Sequence, residues 1–126
     1  MFSAGDIVRF HSPGAGKVKF HLCLGNIGNS PLFAFLYLNS KVGYRGEYIL
    51  QDGQIAGLPD SPTGQTIVSF SLVIRIGEKQ LKLFNAVKTG AIEGQLAGEL
   101  AAFAQTTGVL TSSEKRLVVS ALESLF

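Results

Sequence analysis

Two neighbouring strand-like segments carry the polar side chains best suited to chemistry. In the first, apolar residues alternate with Lys19 and His21, so these two share one face of the strand. Their Cα atoms lie about 6.6 Å apart if the strand is regular. Asn39 and Ser40 end the next apolar segment, and in an antiparallel pair they can lie close to Lys19 and His21.

These residue types fit the cleavage of RNA through its own 2′-hydroxyl, which needs no metal. A lysine holds a phosphate, a histidine moves a proton near neutral pH, and a hydroxyl or amide orients the scissile group. Each residue also has a structural interpretation. His21 fits a hydrogen-bonded histidine on a half-exposed sheet face, Lys19 a solvated charge, and Asn39-Ser40 a strand terminator.

Other site classes lack their motifs. His11, His21 and Cys23 show no CxxC or HExxH spacing, so neither a metal nor another cofactor is expected. No serine lies in a G-x-S-x-G elbow, and the phosphate-binding glycine fingerprints are absent. A single cysteine excludes a disulfide within the chain and, inside an apolar run, is typical of a small buried hydrophobe.

Length and composition predict one globular domain over 1–126, with a hydrophobic fraction of 46%. The start of the sequence has no signal-peptide pattern and no window approaches the roughly 18 apolar residues of a membrane span, so a cytoplasmic location is expected. The net charge is only +2, but Asp6 is the one carboxylate side chain up to Gly46. This asymmetry leaves room for an anionic ligand in the N-terminal half.

The pattern predicts a mainly β chain with helices at its end. Alternation and apolar runs indicate strands over 7–11, 18–24, 32–38 and 67–76, with shorter ones at 48–50 and 81–84. On the fourth of these, Val68, Phe70, Leu72, Ile74 and Ile76 are expected on one face. The glycine-rich stretch 41–64 is interpreted as a long functional loop.

Two helices are predicted after the last strand. Ile92, Leu96, Leu100 and Phe103 follow helical spacing, and Gly108 stands where that helix would stop. A capping box over 111–114 then starts a second helix, whose apolar stripe is Val118, Ala121, Leu122 and Leu125. This stripe should pack on the barrel, on the first helix or on a partner.

The order of these features resembles the PemK/MazF family. The matching pieces are the starting Gly5-Asp6-Ile7-Val8, the strand Lys19 to Leu24, the strand ending in Asn39-Ser40, and 88–92 leading into a helix. The resemblance implies a small SH3-like barrel over about 1–86 with a helical segment over about 91–126. The family typically has arginine and proline on the second strand, where this chain has Lys19-Phe20.

The resemblance further implies a metal-independent endoribonuclease of the toxin–antitoxin type that cuts single-stranded RNA. It would act as a homodimer restrained by an antitoxin protein. Lys19, His21 and Ser40 are then the catalytic residues. The expected RNA-binding residues are Arg9, Lys17, Asn39, Lys41 and Arg45.

Two alternatives remain open at this point. The first is a non-catalytic barrel of the same family that binds nucleic acid or a protein partner, because a fold does not fix a function. The second is a structural or assembly protein, which the apolar second helix favours.

Overall fold

The computed structural model describes residues 1–43 and 45–126. They form one six-stranded antiparallel sheet and three helices, which confirms the prediction of a mainly β chain with helices. The strands are β1 (Asp6–Ser12), β2 (Lys17–Asn26), β3 (Leu32–Asn39), β4 (Glu47–Gln51), β5 (Gln65–Gly77) and β6 (Val87–Ala91). The helices are α1 (Glu78–Leu83), α2 (Gly94–Thr106) and α3 (Ser112–Glu123). The order across the sheet is β4-β5-β3-β2-β1-β6.

A backbone contact brings the two edges of the sheet together. The loop that leaves edge strand β4 reaches edge strand β6, where Gly57 meets Gly90. A Cβ atom at Gly57 would lie 2.1 Å from the backbone oxygen of Thr89, and one at Gly90 would lie 2.1 Å from that of Ala56. Only glycine permits this approach, so the sheet curls and the loop closes its open side.

Both faces of the curled sheet are covered. On one face, buried residues such as Leu22, Leu36 and Phe70 pack against α2 and α3. On the other face a smaller cluster contains Phe10 and Phe35, and its cover includes Leu81 of α1 together with Phe2, Phe84 and Ala86. Because both faces are apolar, the central strand β3 is buried on each side, as its unbroken apolar sequence predicts.

The predicted alternation along β5 is wrong in its second half. Val68 and Phe70 lie in the larger cluster, but the pairing with β3 jumps from Ser69 to Val73. This irregularity reverses the phase, so Val73 joins the larger cluster, Ile76 the smaller one, and Leu72 is exposed.

The predicted strand over 81–84 is also wrong, because that segment belongs to α1 and its C-terminal cap. Residues 78–83 are mostly good helix formers, and Leu81 alone among them is buried, as on a short surface helix. The last strand is instead β6, so the sheet extends to Ala91, past the predicted barrel limit of 86. The short strand predicted within 41–64 is confirmed, because β4 lies there. Residue 44 of that stretch lies outside the described residues.

The two helices at the end of the chain are confirmed. Thr111 Oγ1 accepts a hydrogen bond from the Glu114 N–H, and the Glu114 carboxylate accepts one from the Thr111 N–H, so the capping box starts α3. Val118 and Leu122 of α3 are buried against α2 and the sheet. The apolar stripe of α3, which favoured an assembly protein, is therefore already covered within the chain. Among the described residues no helix is long and apolar enough to cross a membrane.

Candidate functional site

An open groove of about 700 Å³ lies at one end of the β2–β3 pair. It is lined by the start of β2, by the end of β3 with the residues that follow it, and by a segment of the loop after β4. Its polar lining includes five of the predicted site residues: Lys17, Lys19, Asn39, Ser40 and Lys41. We call it the lysine groove.

The pairing of β2 with β3 positions Lys19 in the groove. Phe20 pairs with Leu38 and His21 with Tyr37, so Lys19 comes opposite Asn39. The Lys19 ammonium donates a hydrogen bond to Asn39 Oδ1, and its Nζ lies 4.5 Å from the centroid of the Tyr37 ring. The amide and the aromatic face hold the ammonium in place. Partial burial, and then the charge of Lys17, lower the pKa of Lys19.

Ser40 lies at the same end of the groove. Its backbone oxygen accepts a hydrogen bond from Thr63 Oγ1, which ties the end of β3 to the loop after β4. Its side-chain hydroxyl makes no hydrogen bond with any described residue, so it is free to bond to a ligand.

The groove carries a local positive charge. Lys17, Lys19 and Lys41 line it together with a single carboxylate, Asp60. Within 1–43 and 45–126, none of these lysines forms an ion pair with a carboxylate, whereas Lys88 pairs with Asp6 at 3.1 Å elsewhere on the sheet. Three uncompensated ammonium groups around one concavity attract anions.

Most of the remaining groove lining is apolar, apart from Ser61 and Thr66. The loop after β4 contributes Leu58, Pro59 and Pro62, and the strands contribute Val18, Phe20, Leu38 and, just after β3, Val42. Val18 and Val42 are more than half exposed, at 55% and 60%. A ligand for this groove therefore combines anionic groups with flat or apolar ones.

His21 is buried and lies outside the groove. Its ring stacks on Phe10 with 3.7 Å between centroids and 8° between planes, and Phe35 contacts it edge-on. The ring is fully buried because the face it shares with Lys19 is covered by the smaller apolar cluster. The predicted half-exposed position is wrong, and in this position the ring cannot exchange a proton with a ligand in the groove.

The protonation of His21 follows from its surroundings. Nδ1 lies 3.2 Å from the backbone oxygen of Val8, and since a carbonyl only accepts, Nδ1 carries the proton. Nε2 has no hydrogen-bond partner among the described residues. Burial lowers the pKa of His21 to about 4; the backbone of Val8, and to a smaller extent that of Lys19, oppose this effect, while the Lys19 charge adds to it. The ring is therefore neutral at pH 7.

The two predicted arginines lie apart from the groove lining. Arg9 is exposed on β1 and pairs across the strands with Phe20, one of the groove residues. Arg45 is exposed between the groove and β4. Neither arginine is part of the groove lining.

The sequence patterns missed two contributions to the site. Tyr37 lies under the Lys19 ammonium, and its hydroxyl shares a 3.0 Å hydrogen bond with Ser12. The available signal was the spacing, because Tyr37 lies two residues before Asn39 and alternation puts both on one face of the strand. Asp60 and Ser61 fall within the stretch predicted to be a functional loop, but nothing in their local sequence indicated the groove.

The described part of the chain holds no metal-binding cluster, and its one cysteine is buried. No group of three His, Cys, Asp or Glu side chains is arranged to hold a metal ion there. Cys23 is buried, and burial raises the pKa of its thiol to about 11.

Comparison with known protein families, with curated proteins and with solved structures found no match to this chain.

Proposed function

We propose that this protein binds single-stranded RNA in the lysine groove. The observation that carries the proposal is the polar lining of this groove. It contains Lys17, Lys19 and Lys41, none paired with a carboxylate, together with the amide of Asn39 and the free hydroxyl of Ser40. Ammonium groups bind phosphates, and hydroxyls and amides fix the register of the chain.

The apolar part of the groove favours a single strand over a duplex. Phe20, Val42 and the two prolines offer flat or apolar surface beside the lysines. Unpaired bases stack on such surfaces, whereas a duplex keeps its bases inside the helix. The combination of phosphate-binding and base-binding surface in one groove therefore supports RNA with exposed bases.

We also propose that the curled sheet is an SH3-like barrel of the PemK/MazF kind. The support is the order of features along the chain together with a six-stranded sheet that is closed by a loop and followed by two helices. Homodimerisation, an antitoxin partner and a cytoplasmic location belong to this proposal.

The RNA proposal is tested by the salt dependence of binding. Fluorescence anisotropy with a labelled uridine nonamer gives the Kd of the wild type and of Lys41→Ala at several salt concentrations. Loss of one phosphate contact lowers the slope of log K against log salt by about 0.7 for single strands. Lys41 is exposed, so its removal leaves the fold intact.

Lys79→Ala is the matched control. It removes the same charge from α1, which does not line the groove. A smaller slope in Lys41→Ala alone supports the groove as the binding site. Equal effects of the two substitutions, or no binding by the wild type, would overturn the proposal.

The second candidate is metal-independent endoribonuclease activity at the same groove. The observation that favours it is the environment of Lys19, whose pKa is lowered and whose ammonium contacts Asn39 and Tyr37, in a groove that Ser40 also lines. In this form of the hypothesis the RNA 2′-oxygen attacks the phosphate and gives its proton to water, the P–O5′ bond breaks, and the leaving 5′-oxygen takes a proton from water. Lys19 stabilises the charged phosphate, Ser40 orients it, and His21 supports the strand pair.

Cleavage of a labelled single-stranded RNA in EDTA distinguishes the candidates. Wild-type cutting that leaves a cyclic phosphate and is lost in Lys19→Ala supports the nuclease, and retention of cutting in a folded His21→Phe supports the structural role of His21. Absence of cutting by a wild type that binds the RNA leaves the binding function alone.

A further inference from the structure

The lysine groove contains one residue whose charge opposes an anionic ligand. Asp60 lines the groove with the three lysines and is exposed. It makes no hydrogen bond or ion pair with any residue in the described ranges. A free carboxylate in this place repels phosphate, so a ligand that binds well must offer hydrogen-bond donors to it.

The loop around Asp60 is fixed rather than loosely attached. Before Asp60, Ile55 is buried, Gly57 contacts Gly90, and Leu58 packs against the larger apolar cluster. After it, the Ser61 N–H donates to Asp52 Oδ1 at 3.1 Å.

Two further bonds hold the far side of this loop. Ser61 Oγ donates to the Gln65 backbone oxygen at 2.5 Å, and Thr63 Oγ1 donates to the backbone oxygen of Ser40. Pro59 and Pro62 restrict the backbone on either side. The backbone on both sides of Asp60 is therefore anchored, and this places its side chain in the same groove lining as the lysines.

We propose that Asp60 is a base-specificity residue that selects guanine. This inference rests on the proposed function, since it requires an RNA strand in the groove. A carboxylate has two acceptor oxygens and no donor. The Watson–Crick edge of guanine presents two adjacent N–H donors, at N1 and N2, which the two oxygens accept together.

The other bases match Asp60 less well. The Watson–Crick edges of adenine and cytosine place a single amino group next to an acceptor nitrogen, and uracil has one N–H between two carbonyl oxygens. In each case an acceptor faces the carboxylate, and this is unfavourable. A good bidentate pair discriminates against the wrong base by about tenfold or more.

Binding of four uridine nonamers tests the inference. Their central nucleotide is guanosine, inosine, adenosine or uridine, and inosine lacks only the N2 amino group of guanosine. We expect the wild type to bind the guanosine probe about tenfold tighter than the uridine probe, with inosine in between. Asp60→Asn should lose this preference and bind the uridine probe more tightly, because the repulsion is gone.

Glu123→Gln is the control, since it removes one negative charge from the end of α3, outside the groove lining. It should keep the guanosine preference. Tight wild-type binding without a base preference, or a preference that survives in Asp60→Asn, would overturn the role of Asp60 and leave the RNA function standing. Failure of the wild type to bind any probe would overturn the RNA function itself, and the role of Asp60 with it.

Discussion

Replacing His21 with phenylalanine should change how the stability of the protein depends on pH. The ring is fully buried between Phe10 and Phe35, and its pKa is lowered to about 4, while the unfolded chain keeps the ordinary value of 6.5. Between these values the unfolded state binds a proton that the folded state does not. Stability from His21 is therefore complete above pH 6.5 and is lost as the pH falls toward 4.

The size of the effect follows from the two pKa values. Because the buried ring stays neutral, the free energy of unfolding is about 2 kcal/mol lower at pH 5 than at pH 7. Below pH 4 this decrease approaches about 3 kcal/mol. Phenylalanine keeps an aromatic ring against Phe10 but cannot bind a proton. The wild type should therefore lose about 2 kcal/mol more stability than His21→Phe between pH 7 and pH 5.

Urea unfolding followed by far-UV circular dichroism measures this difference. Every other ionisable group is common to the two proteins, so the remaining contributions cancel when the two pH-dependent losses are subtracted. Equal losses in the two proteins would show that His21 takes up a proton in the folded state as readily as in the unfolded one. The assignment of a buried, neutral structural histidine would then be wrong.

Three further outcomes are expected. Gly90→Ala should destabilise the protein by about 2 kcal/mol or more, measured by urea unfolding, because its Cβ would meet the Ala56 backbone oxygen at 2.1 Å; no loss would contradict the closure of the sheet by the loop. Thr111→Ala should cost about 1 kcal/mol in the same assay through loss of the α3 cap, and an unchanged midpoint would mean that the capping box contributes nothing. Cys23 should resist iodoacetamide at pH 8 in the folded protein and react in urea, as mass spectrometry would show, because its thiol is buried with a pKa raised to about 11; rapid labelling without urea would contradict its burial.

Local sequence patterns predicted the elements with a regular period. The alternation in β2 and the apolar run of β3 gave the strands and their faces, and the capping box gave the start of α3. The pattern failed where tertiary structure breaks the period. The irregularity in β5 opposite Leu36 and Tyr37 reverses its faces, and no residue type in that segment signals it.

The candidate site was likewise predictable only where it depends on regular strands. The opposition of Lys19 and Asn39 follows from alternation and the antiparallel pairing of neighbouring strands. The burial of His21 does not, because it depends on α1 and the N-terminal segment covering the second face of the sheet. Asp60 reaches the groove only because the loop after β4 crosses the open side, a contact between residues far apart in the sequence.

RNA binding in the lysine groove is tested most directly by an NMR titration. Uridine nonamer added to ¹⁵N-labelled protein should shift the backbone amides of 17–20, 39–43 and the non-proline residues of 58–62, which line the groove. The amides of α2 and α3 should stay in place. Shifts confined to those helices, or no shifts at millimolar RNA, would contradict RNA binding in the groove.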